Sequence, residues 1–199
     1  GAFSKERFWA VKVEMAKSLG KIGGGAVRDA LIAGLKQKES KVRSACADAL
    51  GRFRNDPEAA KVLEAVIKKG DPSYYVESSA IASYAKILGK EAKALVLTQL
   101  SKHSHRDTIA DQTLRAIQRL RDPGDVALFL KYSRGPHSYR LRRTAIGALG
   151  SLGGLQSCRK KDRIAIVARL ESCLTGDSGR IRRGALSALR SMGRHGSRL

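Results

Sequence analysis

Val42-Arg43-Ser44-Ala45-Cys46-Ala47-Asp48-Ala49-Leu50-Gly51 spaces Val42, Cys46 and Leu50 four residues apart, on one face of a helix of 3.6 residues per turn. The small residues between them let a second helix come close. The same order returns at Val11-Lys12-Val13-Glu14-Met15-Ala16-Lys17-Ser18-Leu19-Gly20, Leu141-Arg142-Arg143-Thr144-Ala145-Ile146-Gly147-Ala148-Leu149-Gly150 and Ile181-Arg182-Arg183-Gly184-Ala185-Leu186-Ser187-Ala188-Leu189. Weaker copies start at Val76 and Ile109, so the six anchors are 31, 34, 33, 32 and 40 residues apart. Self-similarity at such a period marks stacked supersecondary units. A second amphipathic segment lies between successive copies: Val27 to Leu35, Ala59 to Ile67, Ala92 to Leu100, Val126 to Leu130 and Ile164 to Leu174. Gly70-Asp71-Pro72-Ser73, Asp122-Pro123-Gly124, Gly135-Pro136 and Gly176-Asp177-Ser178 break the chain at the joints, as turn residues do. Each unit reads as helix, turn, helix, and its apolar stripe finds cover only against a neighbouring unit. The expected fold is all-α, an α-solenoid of about six helix pairs forming a single domain over residues 1–199. The 40-residue last step is expected to hold a long connection through Cys158-Arg159-Lys160-Lys161, and residues 190–199 a frayed basic tail.

Composition agrees. Among 199 residues, 42% are hydrophobic and 29% charged, a balance unlike that of disordered chains. Aromatics are only 5%, low for a sandwich or barrel. No apolar run approaches the about 18 residues that mark a membrane span, so no membrane is expected as partner. The start, Gly1-Ala2-Phe3, reads as a piece of a larger protein or a processed chain. Three widely separated cysteines, Cys46, Cys158 and Cys173, form neither a disulfide framework nor a zinc set. Cys46 falls on the apolar stripe and reads as core. An intracellular, reducing, cytoplasmic setting is expected.

The repeated elements are a polar turn, a β-branched residue or Leu followed by a base, a central Ala and a closing Ala-Leu-Gly. Together they resemble HEAT repeats, best over Asp177 to Leu189 and Ser40 to Gly51. The resemblance spans nearly the whole chain and implies a right-handed superhelix of antiparallel helix pairs, the second helix of each lining the concave face. It also implies that the base after the anchor (Lys12, Arg43, Arg142, Arg182) pairs with an acid of the adjacent repeat. More narrowly, Phe8-Trp9-Ala10-Val11-Lys12-Val13-Glu14 and Asp71-Pro72-Ser73-Tyr74-Tyr75-Val76-Glu77 resemble the HEAT-type C-terminal region of aminopeptidase N-like zinc peptidases and their inactive relatives. That likeness implies a non-catalytic region packed beside a catalytic domain. The His-Glu-x-x-His motif is absent here, so no peptidase residue carries over.

Little points to chemistry. His103-Ser104-His105 lacks the Cys, Asp or Glu neighbours that complete a metal site, and reads as solvated loop. Gly23-Gly24-Gly25 opens a helix, as anion-binding loops do, but follows a helix and precedes no Gly-Lys-Ser/Thr; it reads as an inter-repeat turn. No nucleophile–base arrangement stands out locally. Base-excision chemistry on a helical-repeat fold needs aromatics to grip a base, and the single Trp, Trp9, reads as core capping the terminal repeat. The chain is expected to be no enzyme, with neither cofactor nor metal.

Charge carries the functional signal. Lys plus Arg number 39 against 18 acids, for a net +21. Residues 1–50, 51–100, 101–150 and 151–199 carry +5, +2, +6 and +8. Arg140-Leu141-Arg142-Arg143 and Arg180-Ile181-Arg182-Arg183 place three arginines at identical offsets, and Lys41-Val42-Arg43 repeats two of them. All lie in the first turn of the anchor helix, where the helix dipole disfavours cations by roughly 0.3–1 kcal/mol each. Repeat architecture accounts for Arg43, Arg142 and Arg182; it does not account for Arg140, Arg143, Arg180 and Arg183. A second column, Lys21, Arg52, Lys86 and Arg119, lies ten residues after the anchors, near helix C-termini where the dipole favours cations. Two functions fit. The leading one is an interaction scaffold holding an acidic protein segment or adjacent domain on its concave face. The alternative is a nucleic-acid-binding solenoid, with arginine rows (Arg140, Arg142, Arg143, Arg180, Arg182 and Arg183, joined by Lys41 and Arg43) bidentate to phosphates.

Overall fold

A computed structural model describes residues 2–196 and, among them, contains helices joined by turns and no strand. The anchor segments form α2 (Trp9–Ile22), α4 (Ser40–Leu50), α6 (Tyr74–Leu88), α8 (Thr108–Leu120), α10 (Tyr139–Gly153) and α12 (Gly179–Gly196). Between them run α3 (Gly25–Gly34), α5 (Pro57–Lys69), α7 (Lys93–Thr98), α9 (Val126–Tyr132) and α11 (Lys160–Gly176), and a short α1 (Ala2–Lys5) opens the chain. The fold is the expected α-solenoid. Its helices group into two compact units that divide between Ala116 and Ile117.

In the first unit, α2 packs on α4 and α4 on α6, with α3 and α5 as the outer members of their pairs. Helix α5 shows how local sequence sets the pairs. Asp56 accepts the Ala59 amide at 2.9 Å, Pro57 takes the first helical position, and Gly70 at φ +83° ends the helix, each residue type suited to its place. Leu31, Leu50, Leu63, Ile67 and Ile81 are buried, and the stripe predicted from Val42, Cys46 and Leu50 faces inward throughout. Val11 departs from the rule: it is 41% exposed, and Met15 and Leu19 are half-buried. Phe3 of α1 turns instead toward Gly34 of α3, leaving the outer side of α2 uncovered.

The second unit stacks α10 against α12, with α9 and α11 outside them. Its core is Phe129, Leu141, Ile146, Leu149, Leu152, Ile166 and Leu170. The long last step is not spent on a connection, as expected; it lengthens α11 to 17 residues, and Lys160 and Lys161 already lie inside that helix. Arg163 fastens the new helix by donating to the Gly153 and Leu155 carbonyls, each at 3.1 Å. Helix α12 runs on to Gly196, into the expected basic tail, with Met192 buried. Residues 197–199 of the expected tail lie outside the described residues.

One register point repeats at the junctions of anchor helices. A Cβ on Gly20 would stand 2.9 Å from the Cβ of Ala49. On Gly51 it would stand 2.5 Å from Ser83 Oγ, and on Gly150 2.6 Å from the Ala188 backbone. Each glycine lies nine residues after its own anchor; each residue it meets lies seven after the next anchor. The closing Gly of the motif is therefore the contact point of adjacent anchor helices.

Candidate partner-binding groove

In three repeats the base after the anchor, Lys12, Arg43 or Arg142, lies against the joint of the next repeat. Arg43 donates to both carboxylate oxygens of Asp71 at 2.8 Å, and to the Gln37 and Lys38 carbonyls at 2.9 and 2.6 Å. Arg142 pairs with Asp177 and donates to the Ser133 carbonyl at 3.4 Å. Lys12 meets Gln37 Oε1 at 2.7 Å, an amide at the place of the acid. Burial alone would raise Asp71, but the Arg43 guanidinium and the Ser73 amide outweigh it and hold its carboxyl below the usual range. Arg43 and Arg142, two of the expected anion-binding residues, thus spend their guanidinium groups on partners within the chain. Arg182 is exposed.

The remaining arginines lie in the second unit. Arg140, Arg143, Arg180 and Arg183 are all exposed. Arg143 and Arg183 hold the same register position of two anchor helices packed side by side. Arg180 and Arg183 border a shallow hollow of about 520 Å³ with Tyr139, Ser178 and Gly179. Arg140 and Arg143 do not line it.

A larger concavity lies in the first unit, on the face built by α2, α4 and α6. It encloses about 900 Å³, toward the upper end of the range for ligand clefts. Its floor is Ser44, Ala45, Ala49 and Gly51, the same small residues that let the helices approach. Trp9, Lys41 and Tyr75 come from the N-terminal ends of the three helices. Lys17, Arg52, Arg54 and Lys86 come from their later turns and the turn after α4. All five cations are exposed, and Asp48 is the one acid among the described residues that line the groove. Lys17 pairs with Glu14 at 2.6 Å, an exposed pair of the kind worth little. Asp48 stands in the concavity, where desolvation pushes its carboxyl above the usual range against the Ser79 hydroxyl and Lys86.

Trp9 is not the core cap that the sequence suggests. It is 36% exposed, and Lys41 Nζ stands 4.2 Å from the ring centroid, within reach of a cation–π attraction. Phe8 beside it is 59% exposed and Tyr75 69%. Sequence reasoning missed most of this groove, since among its cations it singled out Lys41 and explained Arg52 and Lys86 by the helix dipole. The recurrence of those two at one offset from their anchors was the available signal.

Elsewhere, His103 and His105 are exposed, and His137 stacks on Tyr132 with centroids 4.5 Å apart. Gly23 and Gly24 carry φ of +75° and +92° and form the turn between α2 and α3. All three cysteines are buried, and burial pushes the Cys46 thiol up to about 12. Among the described residues no helix is long and apolar enough to cross a membrane.

These paired helices, with a base reaching the next joint and a glycine at the junction in several repeats, have a counterpart among known families. Residues 2–85 match the family model for HEAT repeats. The HEAT-repeat match covers α1 to most of α6, and so contains nearly all of the groove lining. Among solved structures, the chain is similar to human deoxyhypusine hydroxylase in complex with glycerol. The two are 16% identical over 95% of this chain and 81% of that one, with a TM-score of 0.43. That likeness assigns no role to any residue of the groove. No curated protein matches the chain significantly.

Proposed function

We propose that the protein is a non-catalytic, cytoplasmic scaffold that holds an acidic protein segment in the groove of its first unit. The observation that carries this reading is the lining itself: Lys17, Lys41, Arg52, Arg54 and Lys86 against the single acid Asp48. Stacked repeats supply such a surface already formed, and a cleft lined by one sign of charge concentrates ligands of the other. The narrower resemblance to the C-terminal region of aminopeptidase N-like proteins supports a neighbouring domain as the source of the segment. The test is a binding titration of a labelled oligoglutamate across a salt series. Binding should weaken as salt rises, and the triple variant Lys17→Glu, Arg52→Glu, Lys86→Glu should abolish it. Unchanged binding by that variant would remove the groove from the function.

A second reading rests on the second unit. Exposed Arg143, Arg180 and Arg183, with the hollow beside Tyr139, suit phosphates of a nucleic-acid duplex. Duplex binding would then fall with salt at a slope of about −0.9 per phosphate neutralised. Changing the three arginines to Ala should flatten the slope, while the groove variant should leave it alone.

A further inference from the structure

The groove is divided as well as charged. Trp9, Tyr75 and Lys41 stand at the N-terminal ends of α2, α6 and α4, whereas Lys17, Arg52, Arg54 and Lys86 stand in or beyond the later turns. A uniformly acidic ligand would use the cations and leave the aromatic part exposed. Phe8, Trp9 and Tyr75 nonetheless spend much of their surface on water. Exposed apolar surface at a rim of charged residues marks recognition surfaces, and Trp and Tyr are among the side chains most often found to anchor interfaces.

Lys41 links the two parts. Its ammonium covers the Trp9 ring at 4.2 Å, yet the residue is exposed. A carboxylate is a stronger partner for an ammonium than an exposed ring face, where the attraction is weak. An arriving acid can therefore draw Lys41 off the ring, leaving the face to a neighbouring apolar side chain. An aromatic side chain gains most there, since paired rings attract beyond the area they bury.

Resting on the scaffold reading above, we infer that the groove selects a short acidic segment in which an aromatic residue adjoins an acid, the aromatic stacking on Trp9 in place of Lys41 and the acids meeting Lys41, Arg52 and Lys86.

Trp9 is the chain's single tryptophan, so its emission reports the contact directly. The experiment uses the full chain and three ten-residue probes free of Trp: an oligoglutamate with one central Phe, the same peptide with Ala for Phe, and oligoglutamate alone. The Phe peptide should bind about tenfold more tightly than the Ala peptide and shift Trp9 emission to the blue by covering the ring, a shift that the other two, which only draw Lys41 away, should not give. In Trp9→Ala, and separately in the conservative Trp9→Leu, anisotropy of labelled peptides should show the Phe advantage reduced to about twofold or less while oligoglutamate binding persists. Either variant alone suffices if the other fails to fold. Equal affinity for the Phe and Ala peptides in the unaltered protein would overturn the aromatic inference and leave the scaffold reading standing. Failure of all three peptides to bind would overturn both.

Discussion

At the scale of single residues, charge is used in two ways that exposure separates. Arg43 and Asp71 are both largely buried, with side chains 13% and 12% exposed, and their bidentate pair ties one repeat to the next joint. Asp71→Asn should cost about 2 kcal/mol, the scale of a charge-assisted hydrogen bond, read from urea denaturation at neutral pH. The pH dependence has a definite sign. Asp71 titrates below its unfolded value of about 3.9, so its contribution is present above that value and is lost as pH falls through the lower, folded one. Acid titration of the variant should lack that increment of instability. Asp48 is the opposite case, a carboxylate among cations that an acidic ligand must approach. Asp48→Asn should tighten oligoglutamate binding by about fivefold, the ~1 kcal/mol of two like charges about 4 Å apart in water. Cys46, buried with its thiol raised to about 12, should resist a thiol reagent at pH 7.5 until the fold is opened by urea; prompt labelling of the native protein would contradict its place in the core.

At the scale of elements, α10 provides an internal comparison. Gly150 faces Ala188 so closely that a Cβ would stand 2.6 Å from its backbone, whereas a Cβ on Gly147, three residues earlier, would meet nothing within 4 Å. Gly150→Ala should destabilise by about 1–3 kcal/mol through overpacking. Gly147→Ala should stabilise by about 0.5–1 kcal/mol through helix propensity. Thermal melts of both decide whether this junction sets the stacking. The elements themselves were readable because a stripe at 3.6-residue spacing has one explanation, burial. Val42, Cys46 and Leu50 behave as that rule requires. Val11 does not, because burial depends on a neighbour that no local pattern specifies. The groove was harder to foresee for a related reason. Trp9, Asp48, Arg52 and Lys86 each have a sufficient local account as core, polar helix face or helix-end cation, and only the packing of α2, α4 and α6 brings them to one surface.

At the scale of the molecule, an excess of 21 positive charges attracts any polyanion, so net charge alone does not choose a partner. Placement does. Two kinds of cationic surface emerge, a groove with aromatics in the first unit and an arginine row in the second, and separate substitutions address each. The glycine at three of these junctions has one more consequence. Helices α2, α4 and α10 each bring a notch for the small residue of the anchor helix that follows. Helix α4 carries both halves, Gly51 as notch and Ala49 as the small side chain in the notch before it, so a duplicated copy of its helix pair would slot in beside the original without redesign at that boundary. The array can thus be lengthened at that point while the geometry of the junction is kept.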